Sequence, residues 1–284
     1  RELGARARPT PPGSADAVRA TVGVVLAYGA ALVVAALVSW VIGAANDGIR
    51  SAGDTRAQLA VQAVIFAAGA LLLVEGLRLS HHPREADPLA AAARERPLRP
   101  DLPSIAIVGV GAAALGLLIG PVVGALLPSL HDTAVPVDDL GVGLGVGADA
   151  GTVLVVAGLI PLGEELLFRG VLVGAWARAG RPGVAALVSA GLFGLAHVTV
   201  GPRAMVVMVL LGGLLAAAML LARTLAAPVL AHALVNAVAL VDGGLDDPVP
   251  LVVLVLTVLA ATAVASGISR AVALPDPPVG TLER

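Results

Sequence analysis

Two adjacent glutamates and an arginine lie inside an apolar stretch, and these are the residues of this sequence best suited to chemistry. Glu164, Glu165 and Arg169 fall within the run 152–176, which is otherwise apolar apart from its first residue. A charged side chain at the centre of a bilayer costs at least about 2.5 to 3.5 kcal/mol on insertion scales. Three such charges in one segment therefore indicate a specific requirement for them.

The spacing of the three charges gives them different partners. On an α-helix, Glu165 and Arg169 are four residues apart and share a face, so they can form an ion pair. Glu164 points about 100 degrees away from its neighbour, and the residues at its i+3 and i+4 positions are Leu167 and Phe168. We expect the ion pair to hold the helix in place, and Glu164 to be free to act as a base.

Other polar side chains lie in later apolar stretches. His197 follows Phe193 by four residues and Asn236 follows His232 by four, so each pair shares one helical face. A rise of about 1.5 Å per residue, counted from the arginine at the end of each stretch, places these groups at depths that overlap with that of Glu164. A carboxylate, two imidazoles and an amide at one depth suit hydrolysis, because they supply a base for water and donors for an oxyanion.

The same side chains allow other interpretations. Glu164, His197 and His232 form a zinc ligand set with an open fourth position, although their spacing does not match the HExxH pattern. Intramembrane histidine and asparagine side chains also link helices by hydrogen bonds, which is an equal alternative for Asn236. A proton-coupled transporter would use such groups as a relay, but the sequence shows no internal two-fold repeat of the kind common in transporters.

The composition indicates that membrane-spanning helices carry these residues. Hydrophobic residues make up 58% of the 284 and charged residues 13%, which lies outside the range of soluble proteins. The absence of cysteine excludes a cysteine nucleophile and a thiolate metal site. No basic patch suggests a nucleic acid partner. Small residues are expected to allow close helix packing, with Gly116, Gly120, Gly212 and Gly213 as candidates.

The sequence predicts an all-α, polytopic membrane helical bundle of about eight transmembrane helices. The predicted spans are 18–45, 57–77, 102–127, 148–177, 183–198, 203–221, 226–241 and 249–272. Pro161 lies three residues before Glu164 and Gly163 directly before it, and they predict that the fourth span breaks there into a lead segment and a motif helix.

The arginines predict the orientation of the bundle. Of the 18, fourteen fall on the side that holds both termini, three fall on the other side, and Arg169 lies within a span. By the positive-inside rule, the N-terminus and the C-terminus are cytoplasmic. All the basic residues are arginine and the chain is rich in alanine. This composition is typical of bacterial proteins, so we expect a multi-pass protein of the bacterial inner membrane.

Taken in order, the motifs resemble those of the CPBP family of intramembrane proteases, the CAAX-prenyl-protease and bacteriocin-processing group. The family's EExxxR, FxxxH and HxxxN motifs match Glu164-Glu165 with Arg169, Phe193 with His197, and His232 with Asn236. The resemblance covers residues 150–242. Together with the predicted spans, it divides the chain into a disordered basic tail at 1–17, transmembrane helices 1–3 at 18–147 with a cytoplasmic loop at 78–101, a catalytic core at 148–242, and a last helix and tail at 243–284.

The resemblance implies an intramembrane endopeptidase, glutamate-dependent or metal-dependent. It implies that Glu164 and His197 activate water while His232 and Asn236 stabilise the oxyanion. Supporting roles fall to Glu165, Arg169 and Phe193. Zn2+ bound by the ligand set named above stays open as a cofactor. The expected partners are a peptide or membrane-protein substrate and the lipid bilayer. The alternative is a non-catalytic membrane scaffold or a proton-coupled transporter that uses the same buried residues.

Overall fold

The structure is a computed structural model that describes residues 14–45, 61, 64–69, 102–130, 150–198, 200–242 and 248–269. These residues form helices joined by short turns, and no strand occurs among them, which confirms the predicted all-α class. Most of the predicted basic tail, the predicted loop at 78–101 and most of the second predicted span lie outside the described residues.

Seven long helical elements carry the described part of the chain, together with a short helical segment at 64–69. The third, α3, is a composite that begins with Ala150–Leu154 and ends with Gly174–Arg178. The other six are α1 (Ser14–Ala45), α2 (Leu102–Leu126), α4 (Pro182–Ala196), α5 (Pro202–Ala222), α6 (Ala226–Asp242) and α7 (Pro248–Ser269).

Five of these elements are long and apolar enough to cross a membrane, which confirms a multi-pass membrane protein. The five are α1, α2, α3, α5 and α7, whereas α4 and α6 are apolar but shorter. Both shorter helices occupy positions where the sequence predicts a span. The total of eight spans and the cytoplasmic placement of both termini stay predictions.

Helix α3 lies at the centre of the bundle. In its most apolar window 67% of the residues are buried inside the protein, against 22 to 33% for the other four long helices. Those four expose leucine and valine side chains over much of their surface, as expected for helices that face lipid. Glu164, Glu165 and Arg169 of α3 therefore face protein and not lipid.

The predicted break before Glu164 is wrong, because α3 continues past this point as one helix that alternates between α-helical and π-helical hydrogen bonding. An α-helical segment, Ile160–Glu165, lies between two π-helical segments, Val155–Leu159 and Leu166–Val173. Pro161 has no N–H to donate, and the N–H of Ile160 donates to the carbonyl of Val155, five residues back. The π-helical hydrogen bonding thus accommodates the proline without a break in the helix.

Two of the four predicted small-residue contacts bring helices close together. A Cβ at Gly212 of α5 would lie 3.0 Å from the Cβ of Phe193 in α4, and one at Gly116 of α2 would lie 3.1 Å from Leu211 of α5. A Cβ at Gly213 would make only an ordinary contact of 3.7 Å, and one at Gly120 would meet nothing within 4 Å.

Candidate active site

Glu165 and Arg169 form a fully buried ion pair across one helical turn of α3. The Nη1 atom of Arg169 donates to Oε1 of Glu165 at 2.9 Å. Its Nη2 atom donates to the carbonyl oxygen of Gly212 in α5 at 3.0 Å. The guanidinium carbon lies 4.5 Å from the ring centroid of Phe193 in α4, within the range of a cation–π contact. Arg169 therefore fastens α3 to both α4 and α5.

The imidazole of His232 lies between the two glutamates. Its Nδ1 atom is 2.9 Å from Oε1 of Glu165, and its Nε2 atom is 3.9 Å from Oε2 of Glu164. An ionised carboxylate only accepts hydrogen bonds, so we assign the proton of this bond to Nδ1 of His232. The distance to Glu164 exceeds that of a hydrogen bond. The ring therefore binds Glu165 directly and only faces Glu164.

Glu164 is buried but lacks the partners of its neighbour. Its side chain is 8% exposed, and within the described residues its carboxylate forms no hydrogen bond. The helical spacing predicts this difference, because Glu165 alone has a basic residue four positions on. The two adjacent acids thus have opposite environments.

His197 follows the last residue of α4, and three groups of that helix surround it. Its backbone N–H donates to the carbonyl of Gly194 at 3.0 Å. Its Nδ1 atom is 2.8 Å from the carbonyl oxygen of Phe193, which can only accept, so Nδ1 carries a proton, and in the neutral form of the ring the lone pair is on Nε2. The ring centroid of Phe193 lies 5.0 Å from that of His197 and 5.8 Å from that of His232. Phe193 therefore contacts both imidazoles.

Asn236, one turn after His232 on α6, links that helix to the first π-helical segment of α3. Its Nδ2 atom donates to the carbonyl oxygen of Val156 at 2.9 Å. Position 161, five residues after Val156, is a proline without an N–H, and the N–H of Ile160 is bound to Val155. Asn236 therefore satisfies a carbonyl that the π-helical turn leaves open, which is the helix-linking interpretation of this residue. The second N–H of its amide is a further donor.

An aromatic cluster that no sequence motif predicts lies beside these residues. The chain has three phenylalanines and one tyrosine, and the four rings form a continuous series in which each contacts the next. Tyr28 of α1 stacks on Phe66 at 5.1 Å and meets the edge of Phe168 at 6.0 Å, and Phe168 meets Phe193 at 5.3 Å. With only 2% aromatic residues, the rarity of these side chains was the one available signal.

The predicted zinc ligands are not brought together as a set. In the part of the chain that the structure describes, no group of three histidine, aspartate or glutamate side chains could hold a metal ion. Glu164 and His232 face each other at 3.9 Å, but His197 does not join them as a third ligand. As arranged, these residues do not fit a three-residue zinc site.

A comparison with known families agrees with the motifs. Residues 147–238 match a family described as Type II CAAX prenyl endopeptidase Rce1-like. By this match, a stretch of about a third of the chain is similar to the CPBP, or CAAX-protease, family that the motifs indicate. The CPBP match contains all three motifs and leaves α1, α2 and α7 outside it. No curated protein and no solved structure shows a significant match to the chain.

Proposed function

We propose that this protein is an intramembrane endopeptidase that hydrolyses a peptide bond of a membrane protein or membrane-associated peptide. The observation that carries the proposal is the contrast between the two adjacent glutamates. Glu165 accepts hydrogen bonds from Arg169 and His232, whereas Glu164 forms none within the described residues. Burying a carboxylate without such partners is costly. Together with the protease family of residues 147–238, this favours a reactive role for Glu164.

In the proposed reaction Glu164 is the general base. It removes a proton from water as the water oxygen forms a bond to the carbonyl carbon of the scissile peptide. The carbonyl π electrons move onto oxygen and produce the tetrahedral oxyanion. Glu164 then returns the proton to the leaving nitrogen as the C–N bond breaks. The Nε2 lone pair of His197 accepts a hydrogen bond from the same water and orients it.

His232 is the proposed donor to the oxyanion. Its Nδ1–H is engaged by Glu165, so its Nε2 atom can donate only when the ring is doubly protonated. Glu164, Glu165 and Arg169 together carry one net negative charge, and a protonated His232 makes the cluster neutral. We assign the second N–H of Asn236 as a further donor.

The alternative is a scaffold or transporter that uses the same residues without hydrolysis. To separate it from a protease, the purified full chain is placed in liposomes with a mixture of membrane proteins, and newly formed peptide termini are identified by mass spectrometry. We expect the wild type to produce new termini that Glu164→Gln does not produce. The same set of termini from both proteins would refute the protease proposal.

The same preparation distinguishes the water mechanism from a zinc mechanism. A chelator that removes tightly bound zinc is expected to leave the cleavage rate unchanged, because the proposed steps use only side chains of this chain. Loss of cleavage that added zinc restores would contradict these steps and support the metal-dependent form of the proposal.

A further inference from the structure

The peptide unit that joins Ala196 to His197 is held at both ends. Its N–H, which belongs to His197, donates to the carbonyl of Gly194 at 3.0 Å. Its carbonyl, which belongs to Ala196, accepts a hydrogen bond from the hydroxyl of Tyr28 at 2.9 Å. Carbonyls in the last turn of a helix lack partners inside the helix. The N–H of Val200, four residues after Ala196, would be the helical donor to the Ala196 carbonyl, but it donates to the carbonyl of His197 at 3.1 Å. The tyrosine therefore satisfies a group that α4 leaves open.

The ring of Tyr28 is itself held in a defined direction. One face stacks on Phe66 with an angle of 14° between the ring planes, and the ring also meets Phe168 edge-on. Both neighbours are buried. The hydroxyl is thus aimed at the end of α4 by aromatic contacts from the helical segment 64–69 and from α3.

We infer that Tyr28 is a positioning residue for His197, supplied by a helix that lies outside the family-matched stretch. The backbone of His197 is fixed through the peptide unit that Tyr28 binds, and its ring is fixed by the bond from Nδ1 to the Phe193 carbonyl. These contacts together set the direction of Nε2. The catalytic consequence rests on the proposed function, because small displacements of a group that orients water lower the rate. The positioning itself does not depend on that function.

Histidine NMR on the full chain in lipid nanodiscs tests the positioning directly. The ring signals of His197 are assigned in histidine-labelled protein by their loss in His197→Asn. We expect Tyr28→Phe, which removes only the hydroxyl, to shift or broaden these signals. Thr21→Val is the matched control, because Thr21 lies two turns earlier on α1 and accepts a hydrogen bond from Trp176 of α3. Unchanged His197 signals in Tyr28→Phe would overturn the inference, whatever the activity.

The catalytic consequence is tested by measuring kcat and KM on a peptide that spans a cleavage site found in the liposome experiment. Losing one neutral hydrogen bond is expected to lower kcat about three- to tenfold in Tyr28→Phe, with KM unchanged. In a His197→Gln background the same substitution should have no further effect on the residual rate, because the two residues act through one contact. An equal fall in both backgrounds, or a fall in Thr21→Val of the same size, would contradict positioning through His197. If Glu164→Gln cleaves as well as the wild type, the proposed function fails, and the NMR result still decides the role of Tyr28.

Discussion

The Nδ1–H of His232 donates to Oε1 of Glu165 at 2.9 Å, and this bond joins α6 to α3 inside the bundle. The same oxygen accepts a hydrogen bond from Arg169 at 2.9 Å. One carboxylate oxygen therefore holds an arginine of its own helix and a histidine of another. Glu165 thus pairs with Arg169, as their spacing predicts, and it also links α3 to α6.

Replacing Glu165 with Gln is expected to lower the free energy of unfolding by about 3 to 5 kcal/mol, because it leaves the buried charge of Arg169 without its partner. Thermal unfolding in detergent micelles measures the effect. The double change Glu165→Gln with Arg169→Met removes both charges and should unfold at a higher temperature than Glu165→Gln alone. A Glu165→Gln protein as stable as the wild type would contradict this role.

Asn236→Ala is expected to destabilise the fold by about 1 to 3 kcal/mol, because it leaves the buried carbonyl of Val156 without a donor. Asn236→Asp should destabilise the fold as well, since an ionised carboxylate cannot donate to a carbonyl. Val238→Ala is the control, because that side chain is 44% exposed on the outer surface of α6. Equal melting temperatures for Asn236→Ala and Val238→Ala would show that the link to the π-helical segment contributes no stability.

The neighbouring glycines of α5 are expected to respond differently to the same substitution. In Gly212→Ala the new Cβ would lie 3.0 Å from the Cβ of Phe193 and 3.2 Å from the Cα of Ala190. It would push α4 away and is expected to destabilise the protein by about 1 to 3 kcal/mol. In Gly213→Ala the new Cβ would lie 3.7 Å from its nearest neighbour, the Cβ of Ala190, so the free energy of unfolding should stay unchanged. Unfolding curves of the two variants make the comparison, and similar losses in both would contradict it.

The turn between α4 and α5 requires glycine at position 201. Gly201 has φ 137° and ψ 169°, a conformation that side chains with a Cβ rarely adopt. Gly201→Ala is expected to destabilise the fold by about 1 to 3 kcal/mol and to disturb the nearby His197. Gly191→Ala in the middle of α4 is the control, because its new Cβ would meet nothing within 4 Å. Equal melting temperatures of the two variants would exclude strain at Gly201.

The features that could be predicted from the sequence are local ones. The apolar helices follow from runs of apolar residues, and the Glu165–Arg169 pair follows from the helical period, because both depend on residues within one or two turns. The spacing of four between Phe193 and His197 likewise anticipates the contact between their rings. Each of these features needs only the geometry of a single helix.

The contacts between helices could not be predicted in the same way. The bond from His232 to Glu165 and that from Asn236 to Val156 depend on how α6 is rotated against α3, which spacing within a helix does not define. The π-helical segments shift which groups of α3 face α6, and Pro161 and Gly163 suggested a break instead. Tyr28 lies 168 residues before the carbonyl it binds, and no short motif marks such a contact.

The most direct test compares Glu164→Gln with Glu165→Gln, the same substitution at adjacent buried positions. Cleavage rate and thermal unfolding are measured on each purified full chain in lipid. Glu164→Gln is expected to unfold at the wild-type temperature and to lose cleavage by at least about a hundredfold, because a general base contributes that much. Glu165→Gln is expected to unfold at a lower temperature. Cleavage by Glu164→Gln at the wild-type rate would contradict the division of roles between the two glutamates.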